Sequence, residues 1–309
     1  MSSNYIIRNF RDSDFPSLVH LIMRNGKAGF IKCDDPVKRL SLMFRRPAYQ
    51  ATENVLIAEV HGEVAGYINI LPEPGIERVI FDYLFVPECE TGPIPGELFT
   101  RALAKVGKSD IKFVHVEVSP ADSPVLDLVS HLGFHEVTRY YLLEIDVSKE
   151  ELEINGSENT LVCCMGEGEH GLLVEIQNAC FADHWGYEPV NRESISWWLD
   201  FWQNSSEDII FAWSGNRVAG YCWTVEKYGY EPSTETHTGC IFMLGVDSSH
   251  RTTGLGRRLL YEGLRLLQHK GCGTVTITVD SRNETAFNLY TSAGFRKSAE
   301  TMWYEKTMK

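Results

Sequence analysis

Arg251, Gly254, Gly256 and Arg257 are spaced to hold a diphosphate. They lie in Val246-Asp-Ser-Ser-His-Arg-Thr-Thr-Gly-Leu-Gly-Arg-Arg258, after an apolar run, Cys240–Val246, that reads as a buried strand. Beyond the run comes a stretch in which Leu255, Leu259, Leu260, Leu264 and Leu267 recur at helical spacing. A glycine-rich turn from a strand into a helix gathers free backbone N–H groups at the positive end of a helix dipole, and such a turn binds anions. Gly254 and Gly256 have no Cβ to keep a phosphate from those donors. Arg251 and Arg257 add charge, and Thr252, Thr253 and Leu255 supply the intervening backbone. The same pattern also occurs as an ordinary strand-to-helix turn with solvated arginines.

The following residues extend the pattern. Thr274–Val279 is a second β-branched strand, and Asn283-Glu-Thr-Ala-Phe-Asn-Leu-Tyr-Thr-Ser-Ala-Gly-Phe295 reads as a short helix stopped by Gly294. Val-x-x-x-x-Arg-x-x-Gly-x-Gly, a helix, a strand, then Asn-x-x-Ala-x-x-x-Tyr-x-x-x-Gly-Phe resembles the GNAT superfamily of acetyl-CoA-dependent N-acetyltransferases. The resemblance implies acetyl-CoA as co-substrate, no metal, and direct attack of an acceptor amine on the thioester. Leu244, Gly245 and Val246 would then offer backbone groups to the pantetheine arm and the thioester oxygen. Tyr290 would serve the departing sulfur with a proton or hydrogen bond. Asn283 would bind a pantetheine amide, although an ordinary helix N-cap looks the same in sequence.

Two parts of the chemistry are less defined. Family members often carry a glutamate six residues before the valine of the loop, and this chain has Cys240 there, a core thiol rather than a base. His237, with the right intrinsic pKa, is the candidate base, beside Glu235 and Glu226; a water path to bulk would also serve. Acceptor specificity is expected at Phe181-Ala-Asp-His-Trp-Gly-Tyr187, with Asp183, His184 and Trp185 as pocket residues and Trp197-Trp198 nearby. Aromatics and a carboxylate could hold a cation there, and the same aromatics could equally be core between helix and sheet.

At 309 residues the chain suits two domains, and the elements run in the same order twice. The first domain is expected over residues 1–147, a Glu-rich linker over 148–160, and the second domain over 161–309. The Tyr140–Val147 strand would complete the first and Met302–Lys306 would close the second. Tandem halves of this length resemble the mycothiol synthase type of arrangement. The halves differ at the loop. Counting from Val86 at the offsets of Arg251, Gly254 and Gly256 gives Thr91, Ile94 and Gly96, amid three prolines and the acidic Glu88 and Glu90. Val129 stands at the Tyr290 position. The first half thus reads as degenerate and non-catalytic.

No apolar run spans a membrane, the start lacks a signal-peptide pattern, and the eight cysteines form no CxxC, which together suit the cytoplasm. A net charge of −13 argues against nucleic acid and anionic membranes and is compatible with a cationic acceptor. The expected fold is α+β, α/β/α layered, as two tandem GNAT-like domains, each a mixed, largely antiparallel sheet flanked by helices. The expected function is acetyl-CoA-dependent N-acetylation of a small-molecule amine. Acetylation of a protein or peptide, and a non-catalytic acyl-CoA-binding regulator, are the alternatives, and oligomeric state is left open.

Overall fold

The computed structural model describes residues 5–25, 35–148, 161–229 and 237–308. The expected linker beyond Ser148, and Glu235, lie outside them. The chain divides into two compact units, Met1–Tyr140 with Glu300–Lys309, and Tyr141–Ala299.

The first unit contains β1 (Tyr5–Asn9), α1 (Phe15–Asn25), α2 (Pro36–Met43), α3 (Ala51–Asn54), β2 (Val55–Val60), β3 (Glu63–Glu73), β4 (Arg78–Phe85), α4 (Pro93–Val106), β5 (Phe113–Val118), α5 (Ser123–His131) and the start of β6 (His135–Asp146). β1 to β4 pair antiparallel in sequence order, and β4 and β5 pair in parallel. One face of the sheet is apolar by strict alternation: Ile68 and Ile70, Val79 and Phe81, and Val114, Val116 and Val118 pack beneath Leu98, Phe99 and Ala102 of α4.

The second unit takes the end of β6, then β7 (Leu161–Cys164), α6 (His170–Phe181), α7 (Arg192–Trp202), β8 (Ile209–Ser214), β9 (Arg217–Gly229), β10 (His237–Val246), α8 (Leu255–His269), β11 (Cys272–Asp280), α9 (Glu284–Ser292) and the start of β12 (Arg296–Thr307). β7 to β10 are antiparallel neighbours, and β10 and β11 are parallel. The leucine stripe of α8 is fully buried on one face of this sheet with Cys222, Ile241, Val275 and Ile277; each such leucine contributes ~1.5–3 kcal/mol of burial. α6 and α7 cover the other face through Leu173, Ile176, Ile195 and Leu199, against Phe211, Tyr221 and Trp223. Each unit is therefore α+β, with a mixed, mostly antiparallel sheet flanked by helices.

The division differs from the sequence order in one respect. The first unit's sheet does not pass from β5 straight to the next strand of its own half: residues 300–307 of β12 come between β5 and the start of β6, and pair antiparallel with β5 from Met302↔Val118 to Thr307↔Phe113. Residues 141–146 of β6 count with the second unit, beside β11, where the Val147 N–H donates to Gly273 O at 2.9 Å. β6 and β12 are each 12 residues long, long enough to serve one unit at each end. Among the described residues no helix is long and apolar enough to cross a membrane, and no three His, Cys, Asp or Glu side chains gather as a metal-ligand set.

Candidate active site

The parallel ladder between β10 and β11 runs from His237↔Cys272 to Ile241↔Ile277 and stops. β10 continues through Val246 paired with β9 alone, and a bulge at Phe242 re-aims its last residues. Backbone groups of Phe242–Val246 on the β11 side are thus left beside a gap in the sheet. Gly245 lies opposite Tyr221 on β9. A Cβ there would come within 2.8 Å of Cys180 and 2.9 Å of the Tyr221 ring, so packing against α6 requires this glycine.

The loop after Val246 is tied by its own polar side chains. Asp247 accepts from the Ser249 N–H at 2.9 Å, and its carboxyl is held below the usual range chiefly by the Ser249 hydroxyl. Thr253 Oγ1 donates to His250 O at 2.7 Å and Thr252 Oγ1 to Arg251 O at 2.6 Å. Thr252 and Gly254 both have left-handed backbones, with φ of +65° and +86°, and Gly254 is the N-cap of α8. The Arg258 N–H makes the first helical hydrogen bond, to Gly254 O at 3.1 Å. The N–H groups of Leu255, Gly256 and Arg257 consequently have no helical partner. A Cβ on Gly254 would meet no atom within 4 Å, so the cap residue itself borders open space.

α9 brings the second motif to the same turn. A Cβ on Gly256 would lie 3.6 Å from both Leu289 and Val246, and Arg257 Nη2 donates to Ser292 Oγ at 2.7 Å. Tyr290, next to Leu289, is 6% exposed within the α8–β11 core. Burial pushes its hydroxyl well above the ordinary phenol value. A phenol so shifted is a poor proton donor to a thiolate of ordinary thiol pKa, ~8.5, and is suited instead to donating a hydrogen bond. Asn283 caps α9 by accepting from the Ala286 N–H at 3.1 Å, as Asp122 caps α5 through Val125 at 3.4 Å.

Of the other candidates, Arg251 and His237 are placed differently from the sequence expectation, while Cys240 is the core thiol expected. Arg251 lies back on the protein, Nε donating to Val246 O and Nη2 to Cys180 O, both at 3.2 Å, so it buttresses the loop against α6. His237 opens β10 and is exposed; at ~3.3 Å per residue it stands about 23 Å along the strand from Leu244. The structure does not bring it together with Tyr290. Cys240 is buried and its thiol is pushed up to about 12 by burial, which suits packing and not proton abstraction. Asp183 is exposed, while His184 Nδ1 contacts Trp185 O at 3.0 Å. Trp198 packs on Phe242, and Trp197 stacks on Phe201, so this pair is largely core. The sequence carried no signal for the Arg282 guanidinium, which lies 5.4 Å over the Trp185 ring and ties the α6–α7 connection to the β11–α9 turn across almost a hundred residues.

The model of the acetyltransferase (GNAT) family matches residues 172–295. Over 248 residues the chain is 35% identical to the mycothiol acetyltransferase of Catenulispora acidiphila, covering 78% of this chain and 77% of that protein. The mycothiol acetyltransferase of Nocardia farcinica is 26% identical over 78% of each. Among solved structures, a GCN5-related N-acetyltransferase from Sphaerobacter thermophilus superposes with a TM-score of 0.75 at 17% identity, covering 99% of this chain and 96% of that one. A tandem GNAT protein of the clavulanic acid biosynthesis pathway superposes with a TM-score of 0.74 at 14% identity, covering 98% of each.

Proposed function

Because this chain belongs to the GNAT family of acetyltransferases, we propose that its second unit transfers the acetyl group of acetyl-CoA to the amine of a small molecule. The observation that carries this reading is the left-handed Gly254 cap, which borders open space beside the gap between β10 and β11 and starts a helix whose first three N–H groups have no helical partner. The donor set fits a diphosphate: successive backbone N–H groups at a helix start, with Arg257 alongside. Thr252 and Thr253 hold the loop's shape through their hydroxyls and present their backbone to the same space. Acetyl-CoA, when bound, supplies the thioester that is attacked.

The chain's own groups would then act in turn. Backbone of Leu244–Val246 orients the pantetheine arm and stabilises charge on the carbonyl oxygen, and the Asn283 amide end not used in capping is free for the same arm. Tyr290 donates a hydrogen bond to the leaving sulfur. The acceptor amine gives up its proton to water, since Cys240 retains its own proton and His237 is remote. Asp183, His184 and Trp185, with Arg282 stacked on the indole, form the wall that selects the acceptor. Relatives named mycothiol acetyltransferase, matched over three-quarters of their length, support a small-molecule acceptor. The cytoplasm, which holds acetyl-CoA, is the proposed location.

A thiol-release assay with acetyl-CoA and a panel of primary amines, including amino sugars and a lysine peptide, tests the proposal. Release that depends on a small amine is the expected result. Release driven only by the peptide would overturn the acceptor assignment, and tight CoA binding without release to any amine would overturn the transfer itself.

A further inference from the structure

A group lying in the gap at the end of β10 has few directions in which to grow. β10 and β11 stand at its edges, and the ladder between them is closed at its base as far as Ile241↔Ile277. On the α8 face, Leu255, Leu259 and Tyr290 share one core with Ile277 and Val279, and Leu244 and Val246 pack against it. What remains is the mouth, beside the start of α8, and the α6 face.

On the α6 face a helix lies directly on the strand. Gly245 has no side chain, and a Cβ built there would fall 2.8 Å from Cys180 Cβ and 3.0 Å from Cys180 Sγ. Cys180 thus takes the space that a side chain of β10 would fill. Tyr221, the register partner of Gly245, backs it from β9, with Cε1 2.9 Å from the same point. The last turn of α6 is held in place. Arg251 Nη2 donates to Cys180 O at 3.2 Å, and Phe181 packs on Tyr187 and Tyr221. Cys180 is only half-buried, so part of it borders space rather than protein. Its thiol is pushed up to about 12, by burial first and then by Asp247. At neutral pH it is an uncharged wall and not a nucleophile towards a thioester.

We propose that Cys180 limits the acyl group that the second unit accepts: it closes the α6 side of the gap just beyond an acetyl group, so that longer acyl-CoA thioesters are excluded. The inference rests on the reading that this gap receives the thioester. With the carbonyl held by the backbone of Leu244–Val246 and the pantetheine arm filling the mouth, the tail of the acyl group faces Cys180. Added methylenes would press on a side chain locked by Arg251 and backed by Tyr221, and crowding of that kind is unfavourable.

The test compares acetyl-CoA with butyryl-CoA on the full chain, by calorimetric affinity and by thiol release with one amine acceptor. The wild type should favour acetyl-CoA by about tenfold or more, the discrimination that a methylene gives in a closed pocket. Cys180→Ala removes the sulfur and keeps the backbone contact with Arg251, and it should shrink that preference about tenfold. Cys180→Ser, the nearest in shape, should keep the preference, as should Cys163→Ala at an exposed cysteine of β7. Those two variants separate lost volume from a lost thiol. Folding is checked by circular dichroism, and if Cys180→Ala is unfolded the wild-type comparison decides. Equal handling of both donors by the wild type, or an unchanged preference in folded Cys180→Ala, would overturn the assignment and leave acetyl transfer untouched. The affinities report on the wall even without turnover. Binding of neither donor would overturn both this inference and the reading on which it rests.

Discussion

Gly254 and Gly256 are two residues apart, and the backbone requires only one of them. At Gly254 the left-handed φ would strain any L-residue by about 1–2 kcal/mol, so Gly254→Val perturbs the helix start as well as a ligand. Gly256 has ordinary helical geometry and room for a methyl group. Gly256→Ala should therefore leave the melting temperature unchanged or raise it slightly, while weakening CoA by tenfold or more in calorimetry if a diphosphate approaches that turn. Wild-type affinity would move the phosphate elsewhere. Tyr290→Phe should lower kcat by ~10²–10⁴ with KM for acetyl-CoA little changed, and wild-type turnover would leave this tyrosine a packing residue. Asp82 yields a pH prediction. Its carboxyl, beside Glu117, Tyr67, Asn69 and Tyr49, has a folded pKa of about 6, above the unfolded value of ~3.9. Folding thus binds the proton more tightly, and the stability this contributes is present below pH ~4 and lost as pH rises through about 6. Asp82→Asn should stabilise the protein by about 1–2 kcal/mol at pH 8, after allowance for partial exposure, and by nothing measurable at pH 4. Equal effects at both pH values would show that Asp82 is freely solvated.

At the scale of elements, α4 and α8 occupy matching places as the crossover between the strands of a parallel pair but start differently. α8 follows a left-handed Gly254 cap and opens Leu255-Gly-Arg. α4 follows Gly92, with φ −91°, and opens Pro93-Ile-Pro, so its first and third residues have no N–H to offer. Two missing donors at ~1.5–3 kcal/mol each remove much of the ~8 kcal/mol that a micromolar cofactor needs. One CoA per chain is the expected stoichiometry in a calorimetric titration, and two tight sites would refute it. The comparison corrects a sequence reading as well. Equal offsets from Val86 and Val246 set Ile94 opposite Gly254, whereas the helix starts set Gly92 there, because the first loop is two residues shorter. Local signals were legible: the leucine stripe of α8, the prolines of α4, and Asn283 followed by Tyr290 seven residues on all announce themselves in one stretch of chain. What was not legible joins distant stretches. The backbone contacts of Arg251, the Arg282–Trp185 stack and the packing of Cys180 over Gly245 depend on how α6 lies across the sheet. No spacing rule encodes that.

For the whole molecule the strand exchange matters more than the repeat. Residues 1–148 hold every helix of the first unit, yet not the strand that covers β5. Without residues 300–307 the β5 edge, Phe113–Val118, would lose its register partners, and Tyr304 and Met308 would leave the core they pack against. An uncovered edge of that β-branched composition, FVHVEV, templates association with other chains. Expression of residues 1–148 alone should therefore give an aggregating or molten product, despite matching the domain suggested by sequence order. Joining residues 300–309 to the end of residues 1–140 through a flexible linker should restore a cooperative melt and a monomeric elution volume. The substitution Val116→Lys in that fusion, placing a charge at a fully buried core position, should abolish the melt and serves as the negative control. If residues 1–148 fold cooperatively without help, the C-terminal strand is dispensable to the first unit, and the division of the chain into units would follow sequence order after all.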